Sequence, residues 1–212
     1  WGIDRICSSL ASQPADSGVQ LLYISPLKAL NNDIARNLEE PLQGIRRQAR
    51  ELGAPVPEVR TAVRTGDTPQ AVRQRMLRQP PHILITTPES LFLLLTSPQA
   101  RTLLASVQSV IVDEVHTLCG NKRGVHLGLS LERLEMLCGQ RIQRIALSAT
   151  QRPLEEVARY IGGQTWQVDD AGDRVLMPRP VTVEDAGAAK PMDLQVITPV
   201  PDLRRLPGGS VW

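Results

Sequence analysis

The sequence has little cysteine, no long apolar run and little net charge, and each shortage limits the class of protein that it encodes. Three cysteines without a C-x-x-C spacing argue against a disulfide framework and against a zinc site. No apolar stretch is long enough for a transmembrane helix and no signal peptide is visible, so we predict a cytoplasmic location and no membrane partner. The formal net charge is only +2, so charge alone does not predict binding to nucleic acid.

Short apolar runs alternate with segments in which apolar residues recur at helical spacing. The apolar runs predict strands at 19–24, 59–64, 82–87, 107–113 and 142–148. The helical spacing predicts helices at 2–12, 27–52, 69–78, 125–138 and 153–163, and a further helix that begins at Pro88. Pro41 is expected to interrupt the second helix and to start a new one.

Strands that alternate with helices predict an α/β fold with a parallel sheet. After about Gly163 the pattern changes to short extended pieces, such as "TWQVDD", separated by Gly, Pro and Asp. We therefore predict two parts, an α/β domain over residues 1–163 and a β-rich connector over residues 164–212. The chain begins at Trp1 within a helical pattern, so we expect more sequence ahead of it.

Four of the predicted strands end in polar segments, which read "SPLKAL", "TTPESL", "DEVH" and "SAT". Because ligands of open parallel sheets bind at the carboxyl ends of the strands, we expect these segments to share one site. In "DEVH", Asp113 is a candidate ligand of hydrated Mg²⁺, and Glu114 is a candidate base for an attacking water. The alternative is that Asp113 only caps a turn and that Glu114 is solvated.

The other three segments have both functional and structural interpretations. Hydroxyl groups, Lys28 and the N–H groups of helix N-termini are good ligands for phosphate, but Thr87 and Ser90 are also typical helix caps. His116 is a candidate link between "DEVH" and "SAT", or else a structural histidine. We interpret His82 and His126 as structural.

Together the four segments resemble motifs Ia, Ib, II and III of superfamily 2 helicases in order, spacing and placement. Longer stretches, among them "PLKALNNDIARNLEEPLQGI" and "VIVDEVHTLCGNKRGVHLGLSLERL", are similar to the large helicase-related (Lhr) family of DEAD/DEAH-like ATP-dependent DNA helicases. The similarity is dense over residues 1–163 and looser over 164–212. It implies a RecA-like domain, ATP and Mg²⁺ as cofactors, single-stranded DNA as partner and a role in DNA repair, with RNA or a DNA/RNA hybrid as alternative partners.

The resemblance also implies roles for individual residues. Asp113 would bind Mg²⁺ through water, and Glu114 would be the catalytic base of ATP hydrolysis. His116, Ser148 and Thr150 would couple the ATP site to the path of the nucleic acid. The residues implied to flank that path are Ser25, Pro26, Leu27, Lys28, Gly66, Asp67, Thr87, Pro88, Glu89 and Ser90. Such contacts fall mainly on the phosphodiester backbone, so we expect little sequence specificity.

The sequence lacks one motif that this resemblance requires. The phosphate-binding loop G-x-x-x-x-G-K-[ST] does not occur in the 212 residues. We therefore expect that loop and the first strand of the domain upstream of Trp1, and a second RecA-like domain beyond residue 212, so the chain alone is expected to be inactive. Two alternatives are a non-catalytic module that binds single-stranded nucleic acid and an unrelated α/β enzyme with Asp113 and Glu114 as a metal-binding pair.

Overall fold

The structure, a computed structural model, describes residues 1–12, 18–54, 56–149 and 153–185. The helices are α1 (Gly2–Ser12), α2 (Lys28–Glu51), α3 (Gln70–Arg78), α4 (Pro88–Thr96), α5 (Pro98–Leu104), α6 (Lys122–Cys138) and α7 (Leu154–Gly162). The strands are β1 (Leu21–Ile24), β2 (Thr61–Arg64), β3 (Ile83–Thr86), β4 (Ser109–Val112), β5 (Gln143–Ala146), β6 (Gln164–Val168) and β7 (Arg174–Pro178). A 3₁₀ turn spans Val115–Thr117.

The first five strands form one parallel sheet in the order β2-β3-β1-β4-β5. This arrangement confirms the predicted α/β fold with a parallel sheet. All four residues of β3 are buried, and three of the four residues of β1 and of β4 are buried. Strands covered by helices on both faces are expected to consist of apolar runs, and these three strands do.

Alternate residues of the central strand β1 face opposite layers of helices. Leu22 and Ile24 belong to the larger apolar cluster, which they share with residues of α4, α5 and α6. Leu21 and Tyr23 belong to the second cluster, with residues of α1 and α2. The sheet is therefore the middle layer of three, and its strand ends are free to carry polar groups.

An ion-pair network joins the edge strand β5 to helix α6. Arg144 on β5 bonds Glu132 Oε1 at 2.8 Å and Glu135 Oε2 at 2.9 Å. Arg179, which follows β7, bonds the same two carboxylates at 3.2 and 3.0 Å. The two arginine side chains are only 7% and 12% exposed, and each carboxylate faces two guanidinium groups, so the charges in this half-buried cluster balance.

Helix α2 corrects the prediction at Pro41. The helix runs unbroken for 24 residues with Pro41 inside it, rather than ending and restarting there. Proline removes one N–H donor and leaves the carbonyl four residues earlier without its helical partner. Pro41 and Asn37 are both exposed, so solvent can satisfy that carbonyl, and the packing of Leu42 against the sheet holds the helix together. Helix α5 was not predicted as a separate element.

Strands β6 and β7 form an antiparallel hairpin in the region predicted to be a β-rich connector. The chain divides into two compact units, Trp1–Thr182 and Val183–Trp212, and the hairpin lies in the first. The predicted extended piece at 193–200 lies outside the described residues, and the predicted boundary after residue 163 stays a prediction. Within the described ranges, no helix combines the length and the hydropathy that a membrane span requires.

Candidate functional site

The carboxyl ends of the five parallel strands lie in register along one edge of the sheet. Ile24 pairs with Thr86 and with Val112, and these continue outward to Arg64 and Ala146. The residue that follows each strand is therefore at the same edge. This register brings the predicted segments "SPLKAL", "TTPESL", "DEVH" and the beginning of "SAT" together, as strand ends of a parallel sheet require.

Asp113 leaves β4 at this edge as a half-buried carboxylate that accepts two hydrogen bonds. The hydroxyl of Tyr23 donates to Oδ2 at 2.8 Å, and the backbone N–H of Glu114 donates to Oδ1 at 2.9 Å. Burial, followed by the hydrogen bond and the charge of Asp113, raises the pKa of Tyr23 above its usual range. The phenol therefore stays a neutral donor, and it fixes the orientation of the carboxylate.

The backbone of Glu114 has a conformation that non-glycine residues rarely adopt. Its φ and ψ angles are 47° and 39°, in the left-handed region, and it is the only non-glycine residue with a positive φ in the described ranges. Its carbonyl accepts hydrogen bonds from the backbone N–H and the hydroxyl of Thr117, both at 2.9 Å. Strained backbone is often found at functional sites.

His116 lies in the turn after β4, and its side chain reaches the turn after β5. Its Nε2 is 3.3 Å from Glu114 Oε2, and its Nδ1 is 3.4 Å from the hydroxyl oxygen of Ser148. Two backbone bonds also join these turns, from Val115 N–H to the Leu147 carbonyl at 3.0 Å and from Leu147 N–H to the Val112 carbonyl at 2.9 Å. The structure thus brings three predicted residues, Glu114, His116 and Ser148, together. Thr150 lies outside the described residues.

Asp113 fits a magnesium ion that is bound together with a phosphate ligand. No group of three or more His, Cys, Asp or Glu side chains that could hold a metal occurs in the part of the chain that the structure describes. Mg²⁺ commonly keeps several waters and uses one or two carboxylates together with the phosphates of its ligand. Asp113 retains lone pairs beyond its two hydrogen bonds, so it can accept from water on such an ion.

The hydroxyl groups predicted to flank a nucleic acid are buried in local contacts. Thr87 caps α4, because its side-chain oxygen accepts the Ser90 N–H at 3.3 Å, and the two hydroxyls are 3.2 Å apart. Ser25 bonds the Leu27 carbonyl at 3.4 Å and is fully buried. These contacts match the helix-capping alternative for Thr87 and Ser90. Pro88 begins α4 and is buried as well.

Lys28, which follows β1, and Asp67, which follows β2, form an exposed ion pair at the same sheet edge. Lys28 Nζ lies 2.9 and 3.0 Å from the two carboxylate oxygens, and the side chains are 58% and 75% exposed. Gly66 is exposed beside them, and its position leaves room next to Lys28. Leu27 precedes α2 without a side-chain cap. One turn further along, Asn31 is fully buried, and neither amide atom has a hydrogen-bond partner among the described residues.

Arg123, near the start of α6, joins two of the predicted segments. Its Nη2 donates to the Pro26 carbonyl at 2.7 Å and to Glu89 Oε2 at 3.2 Å, and its Nε bonds Glu89 Oε1. The hydrogen bond from Arg123 is the main reason that the pKa of Glu89 lies below its usual value. Glu89, predicted to lie along the nucleic-acid path, is thus an ionised partner of Arg123.

Sequence reasoning missed Tyr23 and Arg123, which lie outside the predicted residues and hold them in position. Tyr23 is the only polar side chain in the otherwise aliphatic strand "LLYI", which is a signal that its hydroxyl requires a partner. Arg123 lies in the polar stretch "GNKRG" at 120–124, which carries no sign of a long-range partner. Its partners lie 34 and 97 positions away, and no local pattern points to them.

Comparisons with known proteins identify the family of this chain. Residues 4–157 match the model of the DEAD/DEAH box helicase family. The chain is 50% identical over its whole length to the Lhr helicase/probable uracil glycosylase of Mycolicibacterium smegmatis, and 52% identical over 87% of its length to ATP-dependent helicase Lhr-Core protein 2 of Thermococcus barophilus. It spans only 13% and 20% of the lengths of these relatives.

Solved structures show the same relationship. The structure of Mycobacterium smegmatis helicase Lhr bound to ssDNA and AMP-PNP matches all of this chain and 25% of its own, with a TM-score of 0.77 and 50% identity. The DEAD-box helicase Mss116 matches 74% of this chain and 31% of its own, at 18% identity and a TM-score of 0.58, and this likeness supports the fold alone. The resemblance to Lhr helicases and the RecA-like fold are therefore confirmed, and the chain belongs to the DEAD/DEAH box helicase family.

Proposed function

We propose that this chain is the part of an ATP-dependent helicase that activates water for ATP hydrolysis and contacts single-stranded DNA. One observation carries the proposal: a single sheet edge holds a hydrogen-bonded acid–histidine–serine group after β4 and β5, and an exposed lysine after β1 that is paired with Asp67 after β2. The first group suits phosphoryl chemistry, and the lysine suits the nucleic-acid backbone. The intact protein would translocate along the strand and unwind duplexes.

In the proposed reaction, the acids of the β4 turn have separate roles. Asp113, oriented by Tyr23, would hold water molecules of Mg²⁺, and the bound ion would neutralise charge on the phosphate oxygens. Glu114 would accept a proton from the attacking water, and its side chain is 41% exposed and thus accessible. His116, between Glu114 and Ser148, would transmit changes at the acids to the turn after β5. Thr150 is proposed to act with Ser148.

Single-stranded DNA is the proposed partner, because the similar structure of the M. smegmatis helicase Lhr was determined with ssDNA and AMP-PNP bound. Lys28 at the uncapped start of α2 would bind phosphate, because an uncapped helix N-terminus adds N–H donors to the lysine charge. Leu27 and Gly66 are exposed next to it and would line the same path. RNA or a DNA/RNA hybrid would satisfy the same backbone chemistry.

The phosphate-binding loop is proposed to come from sequence outside these 212 residues. No G-x-x-x-x-G-K-[ST] segment occurs within them, and the relatives are several times longer. A second RecA-like domain of the same protein would close the site over ATP. Three free cysteines support a reducing, cytoplasmic location, and a role in DNA repair rests on the family resemblance.

Phosphate release from ATP tests this proposal directly. We expect the longer protein to hydrolyse ATP with Mg²⁺ and to do so faster when single-stranded DNA is added. We expect the 212-residue chain alone to show no turnover above background. Robust hydrolysis by the chain alone, abolished by Glu114→Gln, would contradict the proposed division of the ATP site.

A second candidate function is a non-catalytic module that binds single strands. The exposed Lys28 and the absence of a phosphate-binding loop in the sequence favour it. A titration of fluorescent oligothymidylate at low salt separates the two candidates. Binding by a longer protein that never hydrolyses ATP supports the module, whereas hydrolysis stimulated by the oligonucleotide supports the helicase.

A further inference from the structure

We propose that Arg123 is a positioning residue that couples the turn carrying Asp113 and Glu114 to the two segments that flank the nucleic acid. The proposal rests on the proposed function, because it assigns the connection between the two halves of that site. Arg123 touches neither acid and has no assigned contact with a ligand. Its role follows from what it holds in place.

A continuous series of hydrogen bonds runs from Glu114 to the start of α6. The Thr117 hydroxyl donates to the Glu114 carbonyl at 2.9 Å, and the Asn121 side chain donates to the Thr117 carbonyl at 2.7 Å. The oxygen of the same Asn121 side chain accepts the Gly124 N–H at 2.9 Å and so caps α6. The position of α6 is therefore tied to the backbone of the strained Glu114.

Close packing at Gly124 makes this connection rigid. A Cβ atom at this position would collide with the carbonyl oxygen of Leu118, so the start of α6 packs directly on the backbone of the turn that precedes it. Leu118 is fully buried. Movement of the Glu114 turn is thus passed to the first residues of α6 rather than absorbed between them.

Arg123 extends the connection to the nucleic-acid side. It holds the Pro26 carbonyl at 2.7 Å, two residues before Lys28, and it pairs through two guanidinium nitrogens with Glu89 in the first turn of α4. Two-point contacts between arginine and carboxylate fix an angle as well as a distance. One side chain therefore sets the relative positions of three segments, those of motifs Ia, Ib and II.

The alternative is that Arg123 forms an ordinary surface ion pair. Such pairs contribute little to stability, and the side chains of Arg123 and Glu89 are 41% and 53% exposed. An ordinary pair, however, needs no bond to a backbone carbonyl in a third segment. The bond to Pro26 is the observation that separates a coupling residue from a surface pair.

The test uses the longer protein with Arg123→Gln, and Arg159→Gln as the matched control. Arg159 also forms an exposed pair, with Glu156 at 3.2 Å, but that pair lies within α7, away from the three segments. We expect Arg123→Gln to keep its ATP hydrolysis without DNA within about twofold, and to lose about five- to tenfold of the stimulation by single-stranded DNA. The control should keep both values.

Combination with Glu89→Gln makes the result decisive. If the two residues act as one unit, the double variant loses no more stimulation than Arg123→Gln alone. A parallel fall of both rates, with a lower melting temperature, would show a purely structural role and overturn the inference. An unchanged stimulation ratio would overturn it too. If wild-type hydrolysis is not stimulated by DNA at all, the proposed function itself fails.

Discussion

The turn after β4 and the Lys28–Asp67 pair, which joins the start of α2 to the turn after β2, lie at the same sheet edge but hold their charged side chains in opposite ways. In the first, Glu114 and His116 are 41% and 24% exposed, and hydrogen bonds from Tyr23, Thr117 and Ser148 surround the group. In the second, Lys28 and Asp67 are 58% and 75% exposed and bond mainly each other. Fixed geometry suits a chemical step, and a replaceable ion pair suits exchange with phosphate.

The largest effect is expected at the first turn. Glu114→Gln keeps the size and the shape of the side chain but removes the base. We expect ATP hydrolysis by the longer protein to fall by about 100-fold or more, because general-base catalysis contributes about 10²–10⁴. Binding of single-stranded DNA should stay unchanged. Steady-state phosphate release measures ATP hydrolysis, and fluorescence anisotropy measures DNA binding. A variant that loses both activities would contradict the separate roles proposed for the two regions.

The Lys28–Asp67 pair is expected to respond in two directions, because loss of Lys28 weakens DNA binding and loss of the Asp67 charge strengthens it. Lys28→Ala should weaken binding of single-stranded DNA about three- to tenfold at low salt, and should reduce the slope of log K against log salt by about 0.7, as the loss of one phosphate contact requires. Asp67→Asn frees Lys28 from its partner and should strengthen binding about twofold. Anisotropy titrations at several salt concentrations measure both. Weaker binding by Asp67→Asn would mean that Asp67 supports the site rather than competing for Lys28.

The smallest effect is expected for Tyr23→Phe, which removes one hydroxyl from the first turn. We expect a loss of about 1 kcal/mol in the free energy of unfolding at pH 7, the usual value for one hydrogen bond. The folded pKa of Tyr23 lies above its unfolded value of about 10. This contribution is therefore fully present below pH 10, and it is lost as the pH rises towards the folded pKa.

The variant should consequently lose less stability than the wild type between pH 9 and about 11. Tyr160, whose pKa burial also raises, stays present in both proteins and serves as an internal control. Urea unfolding at each pH measures the difference. Parallel curves of unfolding free energy against pH for the two proteins would show that the Tyr23 hydroxyl does not contribute to the pH dependence.

Much of the fold was predictable because its strands are short apolar runs that alternate with helical spacing. The location of the site at one edge of the sheet was also predictable, because the carboxyl ends of parallel strands share an edge whatever the order of the strands. Pro41 was misjudged because tertiary packing on both sides of it outweighed its local cost. The bonds of Tyr23 and Arg123 were not predictable, because they join residues brought together only by the completed sheet.

The partners of Glu89 show where motif-based assignment ends. The sequence placed Glu89 beside the nucleic acid, yet a carboxylate repels phosphate, and the structure pairs it with Arg123. Thr87 and Ser90 similarly face each other in a buried cap. Residues within one motif can thus have different tasks, and only their contacts distinguish a ligand from a support. The nucleic-acid role of these residues stays a prediction.

Gly124 has a consequence for the tolerance of this chain to random substitution. Gly53 and Gly139 have positive φ angles but open space around the position of a Cβ atom, so Asn, which accepts that backbone, is an acceptable replacement there. Gly124 has an ordinary helical backbone and no space at all. In a saturation library selected for folded protein, position 124 should retain glycine alone, although backbone angles would rank it as the most replaceable of the three.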